Sequence, residues 1–220
     1  MLYSRRRSLV ALLSAAGAYG VSARRTVAFH YQAVFSPGAV RWYTRFSMLV
    51  TGGILSAKQT QLLKGDGNKL IAYNWSSAFY PDDDASAPAE WRKLVQQHTG
   101  AWLLNAVPMG GGAAAPDRTA FWYDFGDSDL IAARARYMAD ALANTGYDGY
   151  FFDTLGFGHL PARLQEEFRR RHPYLVYDER QGEFLRELRV YLGPRRMIFT
   201  NQGYRNPGAF LPNADLDLSS

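Results

Sequence analysis

The sequence predicts an α/β fold of the (β/α)8 TIM-barrel type, incomplete at about seven strands. Three observations predict it. Short β-rich runs alternate with segments of helical period, the pattern of a parallel sheet. Several runs are apolar through their middle and polar at their end: His30, Tyr31, Tyr73, Asn74, Asp124, Asp153, Asn201 and Asp217. Polar groups there are costly to bury unless used or paired, and barrels carry their functional groups at the C-terminal strand ends. Finally, no glycine fingerprint follows an early strand, which argues against the alternative, an open doubly wound sheet.

The elements follow in order. Met1 to about Ala23 reads as a signal peptide: Arg5-Arg6-Arg7 is the positive region, Leu9 to Val21 the apolar one, and Val21-Ser22-Ala23 the small-residue cleavage pattern. Residues 24–220 form the barrel domain. Thr26–Tyr31 is strand one, closed by Ser36-Pro37-Gly38, and Arg41–Phe46 reads as loop. Phe46–Thr51 is strand two. Ser56 caps a helix through Leu63, Gly65–Asn68 turns, and Lys69–Asn74 is strand three. Asp82-Asp83-Asp84 is a solvated charge run without EF-hand spacing. Pro88–His98 is helical, Ala101–Leu104 a small extra strand, and Met109–Pro116 a flexible loop. That loop is not a phosphate loop, because no Lys-Ser/Thr follows it.

Thr119–Asp124 is strand four. Asp127 or Ser128 caps the clearest helix, with Leu130, Ala133, Tyr137, Met138, Ala141 and Leu142 on one apolar stripe and Arg134, Arg136 and Asp140 outside it. Gly146 supplies the left-handed stop, and Gly149–Asp153 is strand five. Ala162–Arg171 and Gln181–Leu192 are helices split by His172-Pro173. Arg196–Asn201 is strand six, and Asp215–Leu218 begins strand seven. A full barrel takes about 250 residues, so the chain is expected to lack its C-terminal end.

Composition excludes several classes. The 220 residues are 47% hydrophobic and 20% charged, a balance that gives one sizeable core and no disorder. The net charge of +5 owes much to Arg5, Arg6, Arg7, Arg24 and Arg25. Without the leader the body is nearly neutral, so the basic balance does not point to nucleic acid. No cysteine is present, which removes thiolate nucleophiles, CxxC redox chemistry and Cys-ligated zinc. The four histidines show no HxH or HExxH spacing, so no metal is expected. There is no GxSxG elbow.

Asp153 is the leading candidate. Side chains alternate along strand five, so Phe151 and Asp153 share one face and Tyr150 and Phe152 the other. Asp153 then stands at the mouth, as a catalytic or substrate-binding carboxylate or as an ion-pair partner. Asp148, at the opposite end of that strand, reads as a turn or pairing residue. Glycoside hydrolysis usually needs two carboxylates. Asp124 is the candidate partner, since strands four and five should be neighbours; its alternative is a capping or loop role. His30, Tyr31, Tyr73, Asn74, Asn201 and Trp122 are candidate substrate-binding residues. The aromatics among them, with Trp75, are either sugar platforms or core.

Asn144–Asp153, as NTGYDGYFFD, resembles the fifth strand of the glycoside hydrolase family 114-like barrels. Tyr123–Asp127 ahead of a long helix and Asn201-Gln202-Gly203 resemble the flanking strand ends of that family. The resemblance covers about residues 26–220 as a pattern. It implies a secreted TIM barrel without a required metal or other cofactor, acting on α-1,4-linked galactosamine polymers. It makes Asp153 the catalytic strand-five aspartate and expects a glutamate on a later strand. Here the last glutamate is Glu187, inside a predicted helix, and none follows Asn201. The chitinase-like DxxDxDxE pattern also fails, because Leu155 stands where its acid would be. The expectation is therefore a secreted or periplasmic glycoside hydrolase with a polysaccharide or oligosaccharide substrate. It involves no nucleic acid and, after signal removal, no membrane. The alternative is a non-catalytic carbohydrate-binding protein on a degenerate barrel.

Overall fold

The computed structural model describes residues 27–30, 35–64, 67–112, 115–201 and 205–217. The predicted leader and Tyr31 lie outside them. The elements run β1 (Val27–His30), α1 (Pro37–Tyr43), β2 (Met48–Thr51), α2 (Ala57–Leu63), β3 (Lys69–Trp75), β4 (Ala78–Phe79), α3 (Ala89–Gln97), α4 (Thr99–Trp102), β5 (Met109–Gly111), β6 (Ala115–Trp122), α5 (Ser128–Ala143), β7 (Gly149–Asp153), α6 (Ala162–Arg171), α7 (Tyr177–Leu192), β8 (Met197–Thr200), α8 (Pro207–Phe210) and β9 (Leu216–Asp217).

Local chemistry explains most boundaries. Ser56 accepts the Gln59 N–H while the Gln59 side chain accepts the Ser56 N–H, a reciprocal box that starts α2. Asp127 accepts the Leu130 N–H at 2.9 Å and starts α5. Three expectations change. Ser36-Pro37 does not close a strand but opens α1, with Ser36 accepting the Ala39 N–H and Pro37 in the first turn, where its missing N–H costs nothing. Of the small strand expected at Ala101–Leu104, Ala101 and Trp102 belong to the helical turn α4, while Leu103 makes an isolated antiparallel bridge to Tyr123. The glycine-rich stretch at 109–116 contributes to a β5–β6 antiparallel pair.

Six strands form one parallel sheet in the order β1-β2-β3-β7-β8-β9. The order follows the sequence without the reversal that marks a doubly wound sheet, so that alternative falls. The predicted strand four does not belong here. β6 sits in a separate antiparallel sheet, β4-β6-β5, and β3 pairs directly with β7, with Trp75 opposite Asp153. The three-residue link from β5 to β6 is too short for the crossover of a dozen residues or more that a parallel pair needs, so these two strands pair antiparallel.

The two faces of the parallel sheet differ. Ala28, Leu49, Leu70, Ala72, Tyr150, Phe152 and Ile198 pack into the large core with residues of α2, α5 and α7. Val27, Val50, Ile71, Phe151 and Phe199 form a second, smaller cluster that among the described residues draws only on strands, with Phe29, Met48, Tyr73 and Met197 against it. At the N-terminal end of the sheet, Asp148 accepts the Leu70 N–H at 2.9 Å and pairs with Lys64 and Lys69. This is the pairing role its position predicts.

β7 and β8 approach closely at Gly149, where a Cβ would stand 2.0 Å from the Met197 carbonyl oxygen. Backbone cannot yield there without parting the strands. Gly149→Ala is therefore expected to cost about 3 kcal/mol, read as a fall of roughly 10 °C in Tm. An unchanged Tm would show that the strands do not meet this closely.

Candidate functional site

The face carrying the small cluster ends in a polar group. Tyr73 and Phe151 are register partners whose rings stack at 5.8 Å. One step along β7, the Asp153 carboxylate accepts three hydrogen bonds. The Tyr73 hydroxyl donates to Oδ2 at 2.6 Å, and Asn201 Nδ2 and the Thr154 N–H each donate to Oδ1 at 2.8 Å. Asp153 remains partly exposed. Alternation explains the grouping: Tyr73 on β3 and Asp153 on β7 project to one face, and Asn201 directly follows β8.

The next residue is strained. Thr154 has φ 59°, the left-handed region, and is the only non-glycine there among the described residues. For a β-branched side chain this conformation costs on the order of 1–3 kcal/mol, and such residues cluster at functional sites.

The other predicted residues go elsewhere. Asn74, one position along from Tyr73, faces the helix layer and accepts from Arg134 at 2.9 Å. His30 also turns away from Asp153. Its ring meets Tyr43 edge-on at 5.0 Å, its Nδ1 is buried without a hydrogen-bond partner, and burial lowers its pKa. Trp122 is buried in the antiparallel sheet. Asp124, at the end of β6, is buried and holds α6: Arg171 lies at 3.1 Å, His172 at 2.9 Å, and the Gly126 N–H donates at 3.0 Å. The strand adjacency that made Asp124 the partner of Asp153 is absent.

Three polar residues around the site escaped the sequence reading. Helical period puts Arg134 outside the apolar stripe of α5, yet it is only 2% exposed. Its guanidinium donates to the carbonyls of Trp75 and Ser76 and to Asn74, and lies 4.0 Å from the Tyr123 ring centroid. Burial pushes its pKa below the ordinary arginine value, opposed by Tyr123, Tyr177 and Tyr150. Gln181 and Asp178, in the first turns of α7, bind the Gly156 and Phe157 N–H groups at 2.7 and 2.6 Å. An acid in a helix's first turn was a readable signal. The burial of Arg134 and Gln181 had none. Among the described residues no group of three or more His, Asp or Glu is placed to hold a metal, and no helix is long and apolar enough to cross a membrane.

No protein-family model matches the chain, and no curated protein does. Solved structures do. The glycoside hydrolase domain of PelA from Pseudomonas aeruginosa superposes with a TM-score of 0.60 at 21% identity, over 88% of this chain and 66% of that domain. The GH36 α-galactosidase AgaA A355E from Geobacillus stearothermophilus, in complex with 1-deoxygalactonojirimycin, gives 0.55 at 13% identity, over 88% of this chain and 30% of that protein. The chain thus spans just under two thirds of the PelA domain and less than a third of AgaA. At these identities the likeness speaks for architecture alone. The fold is a mixed α/β arrangement of the kind that glycoside hydrolase domains use.

Proposed function

We propose that the parallel sheet is the wall of a (β/α)8-type barrel and that the chain is a secreted glycoside hydrolase acting on a polysaccharide. The observation that carries this reading is the Asp153 carboxylate. It sits at the C-terminal end of β7, on the face whose apolar cluster is built, among the described residues, from strands, held by Tyr73, Asn201 and the Thr154 N–H. Sequential strand order and the packing of the described helices α2, α5 and α7 into the large core on one face support the barrel. Asp153 then serves as one of the two carboxylates of glycoside hydrolysis, either attacking the anomeric carbon or managing a proton. The resemblance to family 114-like barrels directs the first substrate trials to α-1,4-linked galactosamine polymers.

A second reading is a glycan-binding protein without hydrolysis. It is favoured by one observation: Asp124, the candidate second carboxylate, is buried against Arg171 and His172 at the end of a strand that belongs to the other sheet. Reducing-end release and glycan retention, measured together on the same polymers, separate the two. Release supports the hydrolase. Retention without release supports the binding protein, and neither would sink both.

A further inference from the structure

The Asp153–Phe157 turn is tied down more heavily than its own sequence requires. From β3, the Ser76 N–H donates to the Asp153 carbonyl at 3.0 Å, and the Ser77 hydroxyl donates to the Thr154 carbonyl at 2.7 Å. From α7, the Gln181 Oε1 accepts the Gly156 N–H at 2.7 Å and Asp178 accepts the Phe157 N–H at 2.6 Å. Gln181 also joins the two sides. Its Nε2 donates to the Ser76 and Ser77 hydroxyl oxygens at 3.1 and 3.0 Å, and the residue is fully buried. One amide therefore links the exit of β3 to the exit of β7, using both of its donors and its acceptor.

This link bears on Asp153 through the backbone. The Thr154 N–H that holds Asp153 Oδ1 lies in the Asp153–Thr154 peptide plane, and the chain leaves that plane with Thr154 at φ 59°. A residue in that region stays only while its surroundings over-determine it. Release of Gly156 and of the Thr154 carbonyl lets the turn relax towards negative φ. With β7 anchored on one side of that plane, the change in φ is taken up by an opposite change in ψ of Asp153, which turns the shared peptide plane and swings the Thr154 N–H off the carboxylate.

We propose that Gln181 is a positioning residue for Asp153. It does not touch substrate; it holds the strained turn that orients the carboxylate. The inference rests on the hydrolase reading above.

The test uses the full chain, the α-1,4-linked galactosamine polymers of the substrate trials and two variants. Gln181→Met keeps the volume and removes all three bonds. Ser77→Ala removes the bond to the Thr154 carbonyl and one acceptor for Gln181, and it carries the test alone if the first variant does not fold. Hydrogen exchange at the Gly156 amide is expected to quicken in Gln181→Met while the β2 amides stay protected. The kcat for polymer cleavage is expected to fall about 100-fold, the scale of a misplaced catalytic group, with KM within about threefold. Ser77→Ala is expected to move kcat in the same direction by about 10-fold. Unchanged exchange at Gly156 in a folded Gln181→Met overturns the clamp. Quickened exchange with unchanged kcat overturns the positioning role. A wild-type chain that cleaves none of these polymers defeats the reading beneath the inference, and the positioning role with it, whatever the exchange shows.

Discussion

Asp153→Asn is expected to lower reducing-end release by about 1000-fold or more while leaving the fold intact. The magnitude is that of removing a group that acts in the transition state. The separation of activity from stability follows from the partners. An asparagine keeps one carbonyl oxygen, which can still accept from the Thr154 N–H and from Asn201. Its amide nitrogen faces the Tyr73 hydroxyl, which can accept instead of donate. No buried group loses its partner, so Tm should move by only a few degrees. What disappears is the negative charge and the capacity to take a proton or bond the anomeric carbon. Activity above a tenth of wild type would remove Asp153 from the mechanism. A collapsed Tm would make it a structural residue instead.

The second large effect is on stability. Arg134→Met should cost about 3–5 kcal/mol, because the oxygens that it now satisfies stay buried without a donor. Those oxygens are the carbonyls of Trp75 and Ser76 and the side-chain oxygen of Asn74. The change also removes the guanidinium from above Tyr123 and Phe184, at 4.0 and 4.8 Å. In thermal unfolding, a loss of that size is a fall of roughly 10 °C. Methionine fills similar space, so a cavity is not the cause. A shift under about 2 °C would mean that solvent reaches these carbonyls and that the bonds contribute little.

The two residues differ in how far the sequence announced them. Asp153 was legible. It ends an apolar run, follows the Gly146 stop, and shares the period-two face of Phe151. Gly146 has φ 78°, as a left-handed stop requires. Tyr73 and Asn201 were legible as polar strand ends, but their convergence on Asp153 was not. Arg134 was misread, because helical period marks an arginine as surface. A buried arginine becomes tolerable only when another element supplies oxygens, here the carbonyls leaving β3. Asp124 was misassigned for a related reason. A strand's alternation records which face is apolar; it does not record whether the neighbour runs parallel or antiparallel. β6 ends in consecutive aromatics, as β7 carries Tyr150-Phe151-Phe152, yet it joins the other sheet.

By itself, the sequence determined the local elements: the capped starts of α2 and α5, the β7 run, and the end of that run at an acid. These follow from hydrogen bonds and side-chain periods within a few residues of one another. Only the tertiary structure decided which strands are neighbours, which of two faces packs against the described helices, and which donors meet Asp153. Tyr73 and Asn201 lie far from Asp153 in sequence and reach it only because β3, β7 and β8 pair in parallel register. Loop closure and burial set that pairing over the whole chain, and no single stretch encodes it.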